Sequence, residues 1–131
     1  MSPMIYEWMI RLSFAVTGLI HVLPLAGLFG RPLLERAYGI TLGEGHDLTI
    51  LMQHRALLFG LLAAGCFAAV ADPGWRWPVG IAALISMLGF VLIAALQAHG
   101  LPIIKVMWID AGAALLLSFG LLLHFKTGNS M

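Results

Sequence analysis

Four ionisable residues lie inside strongly apolar segments of the sequence: His21, His54, Arg55 and Asp110. Ionisable groups in such segments are costly and are functional candidates by default. Two imidazoles and a carboxylate suit a transition metal, and paired histidines suit axial ligation of haem. An arginine donates hydrogen bonds to a carbonyl or to a lipid headgroup. The residue types therefore allow a metal or haem site, an organic-ligand pocket or a proton pathway.

The composition indicates that the elements holding these residues are embedded in lipid. Of 131 residues, 61% are hydrophobic and 10% are charged, and the mean hydropathy is +0.99. Average soluble domains carry about 25% charged residues, so this chain cannot cover a surface exposed to water. A net charge of +1 provides no electrostatic basis for binding nucleic acid. The single cysteine, Cys66, excludes an intramolecular disulfide and a multi-cysteine zinc site.

Four apolar segments predict an all-α fold, an integral membrane bundle of four transmembrane helices in a single membrane domain covering residues 1–131. Each segment has roughly the 20 residues that cross a hydrocarbon core. Backbone polar groups find no water partner there, so each crossing must be helical. The predicted helices span about 5–29, 48–71, 77–98 and 103–125.

The connections predict the order of packing. Asp72-Pro73-Gly74 and His99-Gly100-Leu101-Pro102 are tight-turn signals, so the last three helices should be antiparallel neighbours. Trp75-Arg76-Trp77 is typical of an interfacial anchor. The longer first connection contains residues 32–38, a candidate amphipathic helical turn. The N-terminal segment lacks the pattern of a cleaved signal peptide, so we expect a retained first helix, with both termini on the cytoplasmic side.

Small and polar residues at helical spacing predict which face of three of the helices lies inside the bundle, because helices in lipid associate through such residues. The predicted faces are Ser13, Thr17, Gly18 and His21 in the first helix; Ala82, Ser86 and Gly89 in the third; and Asp110, Ala113, Ala114 and Ser118 in the fourth. In the second helix a small-residue stripe at 56, 60, 64 and 68 points nearly opposite to His54. The pattern leaves open which of these two faces packs inside the bundle and which meets a second subunit or a pocket.

The intramembrane ionisable residues share one depth. Counted from the end that carries the long connection, all four lie about 10 Å into the bundle, and Lys105 lies nearer the interface. One hypothesis is an Arg55–Asp110 ion pair in a structural or accessory protein, which would hold the second helix against the fourth. Another is a pocket for a lipid or quinone-type ligand, lined by His21, His54, Arg55, Asp110 and Lys105.

Two further alternatives remain open. His21 and His54 are candidate haem ligands, with Arg55 or Lys105 near a propionate, and His21, His54 and Asp110 are candidate ligands of a non-haem metal. The absence of C-x-x-C-H excludes covalent haem. Proton or ion translocation would require a homo-oligomer or a larger membrane complex. No G-x-S-x-G frame surrounds a serine, so the sequence favours a non-enzymatic role.

One segment also suggests a family. Residues 51–62, Leu-Met-Gln-His-Arg-Ala-Leu-Leu-Phe-Gly-Leu-Leu, resemble a signature of small bacterial four-helix inner-membrane proteins that are often labelled phosphopantetheine adenylyltransferase. The resemblance implies a location in the bacterial inner membrane and carries over only His54, Arg55 and Asp110. We do not expect adenylyltransferase activity. Enzymes of that name are soluble α/β proteins, whereas Gly45-His46 here precedes a membrane helix, with no parallel sheet or phosphate loop.

Overall fold

A computed structural model describes residues 2–98 and 100–128. In these residues the regular structure is entirely helical, which confirms the predicted all-α fold. The elements are α1 (Pro3–Val22), a 3-10 segment (Leu23–Phe29), α2 (Arg31–Tyr38), α3 (His46–Ala71), a 3-10 turn (Pro73–Trp75), α4 (Arg76–Ala95) and α5 (Leu101–Gly128).

Four helical stretches are long and apolar enough to cross a membrane: Pro3–Phe29, His46–Ala71, Pro73–Ala95 and Leu101–Gly128. Their outward faces carry large apolar side chains, including Leu115, which is 74% exposed. Contiguous apolar surface of this kind is unfavourable in water and favourable against lipid tails. The fold is thus that of a membrane-spanning helical bundle.

Two of the predicted spans need correction. The first crossing is not α-helical throughout, because α1 ends at Val22 and the chain continues as a 3-10 helix to Phe29. Pro24 has no backbone N–H to donate to the carbonyl of Ile20, so it interrupts the α-helical ladder. The third crossing ends at Ala95, three residues before its predicted end at residue 98.

The long helices form a closed ring. Helix α1 packs against α3 and α5, and α4 packs against the same two helices. Helices α1 and α4 are therefore diagonally opposed. The shared core contains Ile10 and Phe14 of α1, Met87 of α4 and Leu117 of α5, all of them fully buried.

The buried faces of α1 and α5 follow the sequence pattern. In α1, Ser13, Thr17, Gly18 and His21 are all buried, as predicted. In α5 the predicted face is correct for Asp110, Ala113 and Ala114, and it continues through Leu117 and Leu121.

The predicted face of α4 is largely wrong, and the small-residue stripe of α3, whose inner face the pattern left open, is mostly not buried. Of the four stripe residues in α3, only Ala56 is buried, and the inner face is completed by Ala63, Cys66 and Ala69. In α4, Ala82 is exposed, and the inner face contains Ala83 and Met87 among others. Both helices carry small and apolar residues on every side, so the pattern does not determine which side turns inward.

A buried ion pair lies at the end of the bundle opposite α2. Arg76 is only 2% exposed, and its Nη1 donates a hydrogen bond to Oε2 of Glu7 at 3.0 Å. Its Nε donates to the carbonyl of Ala69 at 3.3 Å, and Glu7 also accepts from Arg11. Arg76 is therefore not the interfacial anchor that its flanking tryptophans indicated. It connects α1 to the diagonally opposed α4 and to the end of α3.

Candidate ligand cavity

A cavity of about 390 Å³ lies inside the bundle at the end covered by α2. Its sides are formed by α1, α3 and α5, and α2 and the 3-10 segment cover it. Most of its lining is apolar. The lining residues are Ile20, His21, Leu23, Pro24, Ala26, Leu33, Arg36, Ala37, Tyr38, Arg55, Phe59, Val106, Ile109 and Asp110.

Helix α2 packs on the 3-10 segment over the cavity, and a small polar network connects it to the loop that follows. Arg31 donates to the carbonyls of Leu42 and Gly43, and the carboxylate of Glu35 accepts from the backbone N–H of Leu42 at 2.7 Å. Leu34 is fully buried. The loop after α2 is thereby tied back to α2, so the cover has a defined position.

His21 presents its imidazole from α1. Its Nδ1 lies 2.8 Å from the carbonyl oxygen of Thr17, and its ring meets Phe59 edge-to-face at 5.4 Å between centroids. A carbonyl only accepts, so Nδ1 carries the proton, and Nε2 of the neutral ring is an acceptor. His21 therefore offers a ligand an oriented hydrogen-bond acceptor.

Arg55 lies among aromatic rings. Its guanidinium carbon is 5.0 Å from the ring centroid of Phe59, 5.1 Å from that of Phe90 and 5.9 Å from that of Tyr38. Such cation–π contacts stabilise a cation without using its N–H donors. Within residues 2–98 and 100–128, no ion pair within 4.0 Å joins Arg55 to Asp110, although both side chains line this cavity, so the predicted Arg55–Asp110 ion pair stays a prediction.

Tyr38 is the last residue of α2. Gly39 follows it in the left-handed conformation, with φ of 62°, so the helix ends there. The Tyr38 hydroxyl is buried beside the Arg55 side chain, and it makes no hydrogen bond of regular geometry in the described residues. Burial raises the pKa of Tyr38, so the hydroxyl is protonated at neutral pH and is a donor. Leaving such a group unpaired costs roughly 1–3 kcal/mol.

Asp110 completes the polar part of the lining from α5. It is 8% exposed, and it faces the same cavity as His21 and Arg55. The structure thus brings together three of the residues that the sequence placed at one depth. They are joined by Tyr38, which the sequence did not single out.

His54 and Lys105 lie elsewhere. Both are exposed, and neither lines this cavity. Adjacent helical positions are about 100° apart, so His54 points away when Arg55 points inward. Across the described part of the chain, no three His, Cys, Asp or Glu side chains form a group that could hold a metal. His54 thus lies apart from His21 and Asp110, so the described residues do not bring together the predicted metal-ligand set, or the two predicted haem ligands, in this cavity.

A second cavity of about 320 Å³ lies between α3 and α4. Arg55 and Phe59 line both cavities, so their side chains form a shared wall. Phe59 is four positions after Arg55 and shares its face of α3, a spacing that the sequence displays. Tyr38 and Phe90 come from other helices, and no sequence spacing relates them to Arg55.

No known family model matches this chain, and no characterised protein or solved structure matches it significantly. The resemblance in residues 51–62 thus stays an expectation. The fold and the site define the class of the protein: a four-helix membrane-type bundle with an internal cavity large enough for a ligand.

Proposed function

We propose that this protein binds an uncharged, membrane-soluble ligand of the quinone or quinol type in the cavity under α2. One observation carries the proposal. The buried hydroxyl of Tyr38, which makes no hydrogen bond of regular geometry, and the neighbouring guanidinium of Arg55 line the same mostly apolar cavity. Ligand pockets are commonly about 300–1,000 Å³, mainly apolar, with a few polar groups that fix orientation.

The polar groups complement both redox forms of such a head group. A quinone carbonyl accepts hydrogen bonds, and Arg55 and Tyr38 donate them. A quinol hydroxyl also donates, and Nε2 of His21 and the carboxyl of Asp110 accept. The rings of Phe59 and Tyr38 offer stacking surfaces to a planar head.

The charges favour a neutral head group over an ionic one. Asp110 and Arg55 carry opposite formal charges and line the same cavity. An anionic head would be placed near the Asp110 carboxylate, and a cationic head near Arg55. Buried like charges are strongly unfavourable at low dielectric. A carbonyl- or hydroxyl-bearing head avoids both contacts.

We place this function in the bacterial inner membrane, with both termini in the cytoplasm. The four apolar spans support a membrane location, and the resemblance in residues 51–62 supports the bacterial one. The role is binding rather than catalysis. A homo-oligomer or a larger membrane complex remains a prediction from the sequence.

Binding is tested on purified protein in lipid nanodiscs, by titrating a decyl-substituted benzoquinone and following tryptophan fluorescence. We expect saturable quenching that empty nanodiscs do not show. Tyr38→Phe removes one donor and should weaken binding by roughly 2–10-fold. The control is Tyr6→Phe, at the opposite end of the bundle, which should bind like the wild type. Absence of saturable binding, or an equal loss in both variants, would contradict the proposal.

A further inference from the structure

The second cavity adjoins the proposed head-group site. It is lined by Arg55, Phe59, Ile85, Ser86, Gly89, Phe90 and Ile93. Arg55 and Phe59 belong to both linings, and the Arg55 guanidinium carbon lies 5.0 Å from the ring centroid of Phe59 and 5.1 Å from that of Phe90. The two cavities therefore adjoin at these two residues.

The outer edge of this second cavity faces lipid. Ile85 is 68% exposed and Ile93 is 59% exposed, and both lie on α4, a stretch apolar enough to cross a membrane. Between them lies Gly89, where an added Cβ would meet no atom within 4 Å. The missing side chain leaves a recess that opens between α3 and α4 toward the hydrocarbon.

We infer that this second cavity holds the hydrocarbon tail of the ligand whose head lies among His21, Tyr38, Arg55 and Asp110. The inference rests on the proposed function and makes it more specific. The ligand is a chain-bearing amphiphile that enters sideways from the membrane between α3 and α4. Along the bundle axis, α2 and the 3-10 segment cover the head-group cavity, which favours the lateral route.

Other occupants fit this recess poorly. A helix from a second copy of the chain is about 10 Å across with its side chains, which is too wide for a cavity of about 320 Å³. A polar solute would meet a lining in which Ser86 and Arg55 are the polar residues. A hydrocarbon chain matches both the lining and the medium outside it.

Gly89→Leu tests the inference, because the leucine fills the recess and an added Cβ there meets no protein atom. The control is Gly112→Leu on α5, where an added Cβ also meets nothing within 4 Å. Two probes are titrated in nanodiscs: the decyl-substituted benzoquinone, and the same ring with a methyl group in place of the chain. Thermal unfolding of each variant verifies that it is folded, and Gly89→Ala provides a smaller substitution at the same site.

The wild type should bind the decyl probe more tightly than the methyl probe. Gly89→Leu should weaken binding of the decyl probe at least tenfold, which corresponds to roughly two methylenes that are no longer buried. Binding of the methyl probe should not change. Gly112→Leu should change neither. If the wild type binds both probes and Gly89→Leu has no selective effect on the decyl probe, the tail site is overturned while the head site stands. If the wild type binds neither probe, both proposals fail.

Discussion

The guanidinium carbon of Arg55 lies 5.0 Å from the ring centroid of Phe59, and the two side chains form the wall between the cavities. An arginine inside a membrane bundle is normally neutralised by a carboxylate. Arg55 is half-buried and lies among aromatic rings, and no carboxylate among the described residues pairs with it within 4.0 Å. A guanidinium has five N–H donors, so donors remain for a ligand beside the contact with Tyr38, and Arg55 is the residue with the clearest predicted effect on binding.

Arg55→Lys should weaken quinone binding about tenfold or more while the protein stays folded. Lysine keeps the charge but loses the planar face that stacks on aromatic rings and the fork of donors. A hydrogen bond from a charged donor contributes about 1.5–3 kcal/mol, which corresponds to that factor. The dissociation constant in nanodiscs measures the effect. The control is Arg11→Lys, in the Glu7 cluster toward the end of the bundle opposite α2. An unchanged dissociation constant for Arg55→Lys would show that Arg55 does not contribute to the site.

Tyr38→Phe should not destabilise the ligand-free protein. The substitution removes a buried hydroxyl that makes no hydrogen bond of regular geometry in the described residues, so the free energy of unfolding should stay the same or rise by about 1 kcal/mol. Thermal unfolding in detergent without added ligand measures this. A loss of stability larger than that of Tyr6→Phe would show that the hydroxyl has a structural partner.

The same tyrosine predicts a loss of stability at high pH. Burial raises the pKa of Tyr38 above its usual value of about 10, so the folded state disfavours the phenolate. Below pH of about 10 this has no effect on stability, and above it the folded state loses stability as the unfolded state ionises first. Unfolding temperatures at pH 9 to 11 should therefore fall less in Tyr38→Phe than in the wild type. If the unfolding temperatures of the two proteins fall equally with pH, Tyr38 is not the group responsible.

Glu7→Gln should lower the free energy of unfolding by about 1–3 kcal/mol. Removing one partner of a buried pair costs about 3–5 kcal/mol, and the 37% exposure of Glu7 reduces that figure. Glu44→Gln, in an exposed loop, is the control and should have little effect. The double variant Glu7→Leu with Arg76→Met should be more stable than Glu7→Gln, since it leaves no buried charge unpaired. A less stable double variant would contradict this account.

Gly120→Ala should loosen the packing of α5 on α1. A Cβ at Gly120 would lie 2.8 Å from the Ser13 Cβ, closer than such atoms approach. Overpacking typically costs about 1–3 kcal/mol. On the same helix, a Cβ added at Gly112 would have no atom within 4 Å. Gly112→Ala should therefore raise the free energy of unfolding by roughly 0.5–1 kcal/mol, because alanine has the higher helix propensity. Adding Ser13→Gly to Gly120→Ala should restore part of the loss, and equal stability of the two alanine variants would be inconsistent with this contact.

The sequence by itself determined the class of fold and one part of the cavity. Apolar segments of membrane length require helices, because lipid supplies no partner for backbone polar groups. The same constraint places His21, Arg55 and Asp110 at one depth, since depth in a straight helix follows from counting residues. The sequence pattern also predicts the inner faces of α1 and α5, because the polar and small residues of each helix fall on one side.

Only the tertiary structure decided how the helices are rotated and what closes the cavity. Helices α3 and α4 are apolar on all sides, so their packing against neighbours, rather than their own pattern, sets which residues turn inward. The position of Tyr38 depends on the packing of α2 on the 3-10 segment, and Arg76 reaches Glu7 across 69 residues of sequence. Contacts between distant segments arise when all the helices pack together. The spacing of residues within one helix carries no information about these contacts.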